Sequence, residues 1–216
     1  MVKRVHVLKE NINKSRWYDG LLYSMAMDPV VGKSFSRTIS QYVSAGSSVV
    51  DIGCGVGSVA RELSNKCSHV TGIDLSIKMV NYARKRLAAA SIYNVEILLG
   101  SAADLSSQVY RTYDYAVMTQ FLHEIRDDDR NRVMEKIKEI AREFIIADFI
   151  APCPDSISGR MISFLEMLAG KEHNDNFRDW LGRGGLDGFL DRHGLTVIDE
   201  RNFSTGVGKI VKAKAM

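Results

Sequence analysis

The densest group of chemically capable residues is Val49-Val50-Asp51-Ile52-Gly53-Cys54-Gly55-Val56-Gly57, where an apolar run meets a helical one. Glycines at this spacing let the backbone turn tightly and let a ligand approach the amides at a helix start. Nicotinamide and flavin enzymes also use glycine turns, so two further details matter. The spacing is G-x-G-x-G, and the last glycine of G-x-G-x-x-G falls on Ser58. Asp51 stands two residues before the first glycine, where a carboxylate repels a pyrophosphate and attracts an ammonium or sulfonium. The loop therefore suits a ligand with positive charge and no diphosphate. Asp74 ends the next apolar run, 21 residues after Gly53, and a carboxylate there can accept two hydrogen bonds from a ribose diol. Ser76 is available to cap the following helix, which leaves Asp74 for the ribose.

Two histidines are candidates for proton transfer or acceptor contact. His123 lies five residues beyond Met118, and its alternative role is to hold the loop leading to Arg126-Asp127-Asp128-Asp129. His173 lies in Lys171-Glu172-His173-Asn174-Asp175, which also reads as an exposed polar turn. Asp148 can reach the same cleft or serve as a buried structural carboxylate. Cys54, Cys67 and Cys153 form no C-x-x-C pair and no metal-finger spacing, so no metal is expected.

These residues need elements to position them. Apolar runs at 48–52, 69–73, 95–99, 113–118 and 143–149 alternate with helical patterns at 56–65, 76–90 and 127–142. Parallel strands need crossover connections, and continuously apolar runs such as VVDI, YAVM and FIIADF suit strands buried on both faces. Runs at 195–198 and 208–211 have no room for a helix between them and read as an edge hairpin. The expected fold is α/β: a doubly wound, mostly parallel seven-stranded sheet with helices on both faces, a C-terminal antiparallel hairpin and helical lid segments. Ligands bind outside the carboxyl ends of such strands. An N-terminal helical lid at 1–44, with helices at 18–27 and 29–42, and a helical insertion at 151–193, with helices at 157–168 and 177–193, can fold over that edge.

Composition narrows the class. A chain of 216 residues supplies one well-filled domain, or one domain plus a small cap. The N-terminus lacks the apolar stretch of a secretory signal, and no run is long enough to span a membrane. A cytoplasmic protein is expected. The net charge of +3 is too small to argue for nucleic acid, and Arg84-Lys85-Arg86 reads as a solvated helix face.

The string Asp51-x-Gly53-x-Gly55-x-Gly57, then Gly72-Ile73-Asp74-Leu75-Ser76-x-x-Met79, Gly100-Ser101-Ala102-Ala103-Asp104-Leu105, Tyr113-Asp114-Tyr115-Ala116-Val117 and Phe121-Leu122-His123, resembles the class I S-adenosylmethionine-dependent methyltransferases, small-molecule type. The likeness covers roughly residues 45–150 of a Rossmann-like domain expected at 45–216. It implies that the first loop, including Cys54, holds the methionine moiety of S-adenosylmethionine and that Asp74 holds the ribose. Leu75 and Met79 would pack on the adenine, Ser101, Ala102 and Asp104 would address its edge, and Thr119 and Phe121 would flank the methionine end. Tyr18 would touch the cofactor carboxylate. Cys54 also reads as a small packing residue. Two features depart from the family: Ser101 stands where an acidic residue is usual, and the Lys-Pro-Gly-Gly turn before strand five is absent.

The acceptor is narrowed by what is missing. Thr119-Gln120-Phe121-Leu122 lacks the prolines of adenine-N6 enzymes. Ala151-Pro152-Cys153-Pro154 follows strand five rather than four, so Cys153 is not expected to be a nucleophile. A small-molecule methyl acceptor is expected, reached by in-line displacement, with Trp180 and Arg183 of the insertion as candidate pocket residues and the remaining lid apolars mostly core. The competing readings are a non-catalytic cofactor-binding protein of the same fold and a nucleotide-dependent oxidoreductase; an aminopropyl transferase would want more acidic residues. The composition leaves the oligomeric state open.

Overall fold

The computed structural model describes residues 33–104 and 112–215. Its centre is one seven-stranded sheet in the order β3-β2-β1-β4-β5-β7-β6. The strands are β1 Ser48–Ile52, β2 His69–Asp74, β3 Val95–Leu99, β4 Tyr113–Thr119, β5 Ala141–Phe149, β6 Leu195–Asn202 and β7 Gly208–Ala215. β1 to β5 pair in parallel, and β7 runs antiparallel to both β5 and β6. The chain order reverses between β1 and β4, which sets the cleft at the carboxyl ends of those two strands.

Strand alternation feeds two cores. Val50, Ile52, Ala116, Met118, Phe144 and Ile146 join one buried cluster, and Val49, Tyr115, Val117, Ile145 and Ala147 join the other. Successive side chains point to opposite faces, so continuously apolar strands demand a helical layer on each side. α1 Lys33–Gln41, α2 Ser58–Leu63 and α3 Ile77–Ala89 cover one face. α4 Asp127–Ile140, α6 Lys171–Gly182 and α7 Gly185–Arg192 cover the other, and α5 Ile157–Leu168 precedes α6. Among the described residues no helix is long and apolar enough to cross a membrane.

Several expectations need correction. Of the segment expected as an N-terminal lid, the described part packs in the core: Ile39 and Val43 are buried with α2 and α3. The helix at 18–27 lies outside the described residues. The single helix expected over 177–193 is two helices, broken where Gly184 and Gly185 adopt φ of 90° and 57°. A Cβ on Gly185 would come within 2.8 Å of the Ala151 amide nitrogen, so this break lets the chain pass close against the end of β5. α4 is shorter and β5 starts earlier than expected, because Ala141 already pairs with Tyr113. Arg84 and Arg86 are not merely solvated: Arg84 donates twice to the Ile97 carbonyl, and Arg86 to the Val56 carbonyl and Ser58 Oγ.

Candidate active site

The chain must leave β1 and enter α2 within five residues, 53–57. Gly53, Gly55 and Gly57 make that reversal with φ of 67°, 51° and 74°, conformations that cost glycine little. The Gly53 and Cys54 amides both donate to the Ile73 carbonyl, at 2.9 and 3.0 Å, pinning the loop to β2. A Cβ on Gly53 would meet the Phe121 ring at 2.3 Å and one on Gly57 would meet Ala83 Cβ at 3.0 Å. One on Gly55 would meet nothing within 4 Å. The loop is thus packed at its two ends and open in the middle.

Beneath it lies Asp51, fully buried, with neither carboxylate oxygen hydrogen-bonded among the described residues. Burial pushes its pKa up to about 7; the nearby Ala60 amide offsets part of this, and the charge of Asp74 adds to it. A buried unpaired carboxylate is costly, and that cost is relieved when a cationic or donor group arrives. Asp74 is differently placed. Its Oδ2 accepts from the Gly55 amide at 2.9 Å and its Oδ1 from the Ser76 amide at 2.8 Å. Each oxygen retains a lone pair for a further donor. Burial raises its pKa against the pull of the Ser76 and Gly55 amides. Ser76 Oγ caps α3 by accepting from the Met79 amide.

The end of β4 supplies the opposite wall. Gln120 adopts φ of 50° and its amide donates to the Ala147 carbonyl at 2.8 Å. Its side-chain Nε2 is buried with no partner among the described residues. A non-glycine residue is uncommon in this left-handed region, and the bond to the Ala147 carbonyl holds Gln120 there. Phe121 follows and covers Gly53.

The turn Leu122–Glu124 then delivers His123 into a second cluster. The Leu122 and His123 amides donate to Asp148 Oδ2 at 3.0 and 3.4 Å, and the Phe149 amide donates to Oδ1 at 2.8 Å. His123 Nδ1 lies 2.7 Å from Asp148 Oδ1. An ionised carboxylate only accepts, so Nδ1 carries hydrogen. Burial alone would lower the His123 pKa; the charge and hydrogen bond of Asp148, with Glu124 and Glu166, outweigh it and hold it at about 9. Glu166 on α5 bridges the two histidines: its Oε1 is 4.0 Å from His123 Nε2 and its Oε2 is hydrogen-bonded to His173 Nε2. The fully buried Arg130 clasps this region, donating to the Leu122 and Asn176 carbonyls and to Asp179. Asn176 returns a bond to the Glu124 carbonyl at 2.7 Å.

The structure therefore brings Asp51, Gly53, Gly55, Asp74, Thr119 and Phe121 to one edge, with His123 on the turn that continues from it. His173 is not an exposed turn but joins His123 through Glu166. Leu75 is largely exposed and Met79 half-buried, both at the start of α3. Ser101 Oγ accepts from the Ala103 amide, which ties it to the short turn Ala102–Asp104. Ala102 has its side chain in the core, so only its backbone can face a ligand. Cys54 likewise points inward, its Sγ packed against Gly72, and burial holds its thiol pKa high. Cys153 sits 3.7 Å from the Gly159 carbonyl at the start of α5. Tyr18 lies outside the described residues.

Other expectations about the insertion fail. Trp180 is fully buried and its Nε1 donates to the Phe149 carbonyl, so it is core rather than pocket wall. Arg183 is paired with Asp127 and Asp179 and is not a free cation for an acceptor. Met161, Phe164, Met167 and Leu168, expected to be mostly core, are each more than half exposed. Glu166 was missed. Its signal is that it is the only carboxylate in ISGRMISFLEML, a helix otherwise rich in apolar residues.

Known proteins resemble this chain in sequence and in fold. A family model described as a methyltransferase domain matches residues 49–143. The chain is 30% identical over 160 residues to an uncharacterized methyltransferase of Schizosaccharomyces pombe, covering 70% of this chain and 58% of that protein. It is 27% identical over 210 residues to the methyltransferase GfsG of Streptomyces halstedii, covering 91% of this chain and 72% of that one. In fold it is similar to an S-adenosylmethionine-dependent methyltransferase from Aquifex aeolicus, with a TM-score of 0.64 at 18% identity over 92% of this chain and all of that one. The glycine loop, the strand order with its closing hairpin and these likenesses agree: the chain carries a methyltransferase domain over residues 49–143 and is similar in sequence and fold to the S-adenosylmethionine-dependent methyltransferases.

Proposed function

We propose that this chain binds S-adenosylmethionine across the Gly53–Gly57 loop and directs its methyl group to a small-molecule acceptor by in-line displacement. The observation that carries this reading is the buried, unpartnered carboxylate of Asp51 beneath a loop open at Gly55. The residues fit the cofactor: Asp51 answers a positively charged methionine end and disfavours a diphosphate. Asp74 has lone pairs left for the ribose hydroxyls, and Leu75 and Met79 flank the place for adenine. Thr119 and Phe121 border the methionine end. When bound, S-adenosylmethionine supplies a methyl group on a sulfonium, an excellent leaving group.

The chain's own contribution is then mainly positioning. Holding two reactants in line can contribute roughly 7–11 kcal/mol, and Phe121, packed on Gly53, fixes one wall of that approach. Where the acceptor is a hydroxyl, His123 is the group placed to take its proton. Asp148 holds Nδ1, which leaves Nε2 for exchange, and the surrounding carboxylates make the imidazole a strong proton acceptor. At neutral pH it already carries a proton, so a turnover that uses it as base starts from the deprotonated minority. The modest net charge, with Lys and Arg spread along the whole sequence, favours a small acceptor over nucleic acid.

The test is calorimetry with S-adenosylmethionine, S-adenosylhomocysteine and NADH, followed by transfer of labelled methyl to a metabolite extract. Binding of the two adenosyl-sulfur ligands with transfer is the expected result. Binding without transfer to any acceptor would favour a sensor, and binding of NADH alone would overturn the cofactor assignment.

A further inference from the structure

His123, Glu166 and His173 come from three separate elements: the turn after β4, α5 and α6. Their ligand-capable atoms all lie within 4.8 Å of one another. The side chains are 3%, 13% and 10% exposed, so water competes little for them. Asp148 bonded to Nδ1 turns His123 Nε2 toward Glu166, the carboxylate–imidazole arrangement that orients a metal-bound histidine. Besides Glu166, the carboxylates of Asp148 and Glu124 lie close to this histidine pair.

We propose that His123, His173 and Glu166 form a site for one divalent transition-metal ion, with zinc as its reference occupant. Two imidazoles and one carboxylate are the donors of zinc and its neighbours rather than of magnesium or calcium. Bonds of about 2.0–2.2 Å set the ligand atoms of one ion about 3.3 Å apart, so on loading His123 and Glu166, now 4.0 Å apart, close up while the hydrogen-bonded His173–Glu166 pair opens to admit the ion. Glu166 has the torsions for this on a helix whose outer face is exposed. The ion ties α5 and α6 to the end of β4. This inference does not rest on methyl transfer, and an ion at His123 Nε2 excludes proton exchange there while it is bound.

The test is a zinc titration of the full chain against a chromophoric chelator, with His173→Ala and Glu166→Gln alongside and circular dichroism to verify folding. One zinc per chain is expected, weakened at least about tenfold in each folded variant. Cobalt added to the wild-type chain should give the absorption of a nitrogen and oxygen site with no thiolate charge-transfer band. Cys54, Cys67 and Cys153 are the competing ligands, so a thiolate band would overturn the proposal. Failure to bind one ion per chain, or undiminished binding in both folded variants, would overturn it as well. If neither variant folds, a thiolate band or a failure to bind one ion per chain would still overturn the proposal.

Discussion

Asp51 and Asp148 are the same residue type, buried to the same extent near the carboxyl ends of strands in one sheet, yet they are in opposite states. Asp51 is 0% exposed and has no hydrogen-bond partner among the described residues. Asp148 is 1% exposed and receives the Leu122, His123 and Phe149 amides and the His123 imidazole. One carboxylate holds a turn; the other is left without a hydrogen-bond partner, which is the feature the proposed ligand would answer. Burial by itself therefore does not distinguish a structural acid from a binding acid. The count of donors already committed to it does.

Breaking the contrast at its structural end gives the largest effect. Asp148→Ala leaves a buried imidazole and three amides without their acceptor and should cost about 3–5 kcal/mol in urea unfolding. A loss below about 1 kcal/mol would mean that Asp148 is not holding the turn.

Asp51→Asn should act in the opposite direction. The folded carboxyl, at about 7, binds its proton more tightly than the unfolded one at its ordinary value near 3.8. The folded state thus keeps a proton between those values, and stability falls as pH rises through that window, then levels off above it. Removing the charge should raise stability at pH 8 by up to about 4 kcal/mol, with little gain near pH 4. The same variant should bind S-adenosylmethionine more weakly. Unfolding at the two pH values and calorimetry read both effects, and a destabilised Asp51→Asn chain at pH 8 would end the contrast.

Asp74 stands between the two extremes, half committed to the Gly55 and Ser76 amides. Asp74→Ala should lose charge-assisted bonds worth about 1.5–3 kcal/mol, a ten- to hundred-fold weaker cofactor by calorimetry. Unchanged affinity would remove it from the ribose site. The smallest effect belongs to Gly55→Ala. Its left-handed backbone should cost about 1–2 kcal/mol of stability, and its methyl group enters open space. If that space is the ligand's, affinity falls although nothing in the free protein is displaced.

Much of this was legible before any coordinates. The strand and helix alternation was readable because buried parallel strands are continuously apolar, and the glycine loop because three positive-φ residues in one turn leave a compositional trace. Asp51 and Asp74 could be singled out because their positions relative to those glycines carry chemical meaning. The helix break at Gly184 and Gly185 was not legible, since the reason for it is the approach of the end of β5. Nor was the exposure of Met161, Phe164, Met167 and Leu168, because apolar spacing on a helix predicts a buried face without guaranteeing a partner for it.

The sequence by itself determined the fold class, the glycine loop and the positions of Asp51 and Asp74 beside it, because these depend on local spacing along the chain. Only the tertiary structure decided that Trp180 and Arg183 are spent on packing and ion pairs. It alone also brought His123, Glu166 and His173 together. They lie up to 50 residues apart in sequence, and their meeting depends on how α5 and α6 fold back over the end of β4. Side chains whose proximity is set by packing leave no periodic or spacing signal, and that is the physical limit of reading them from the chain.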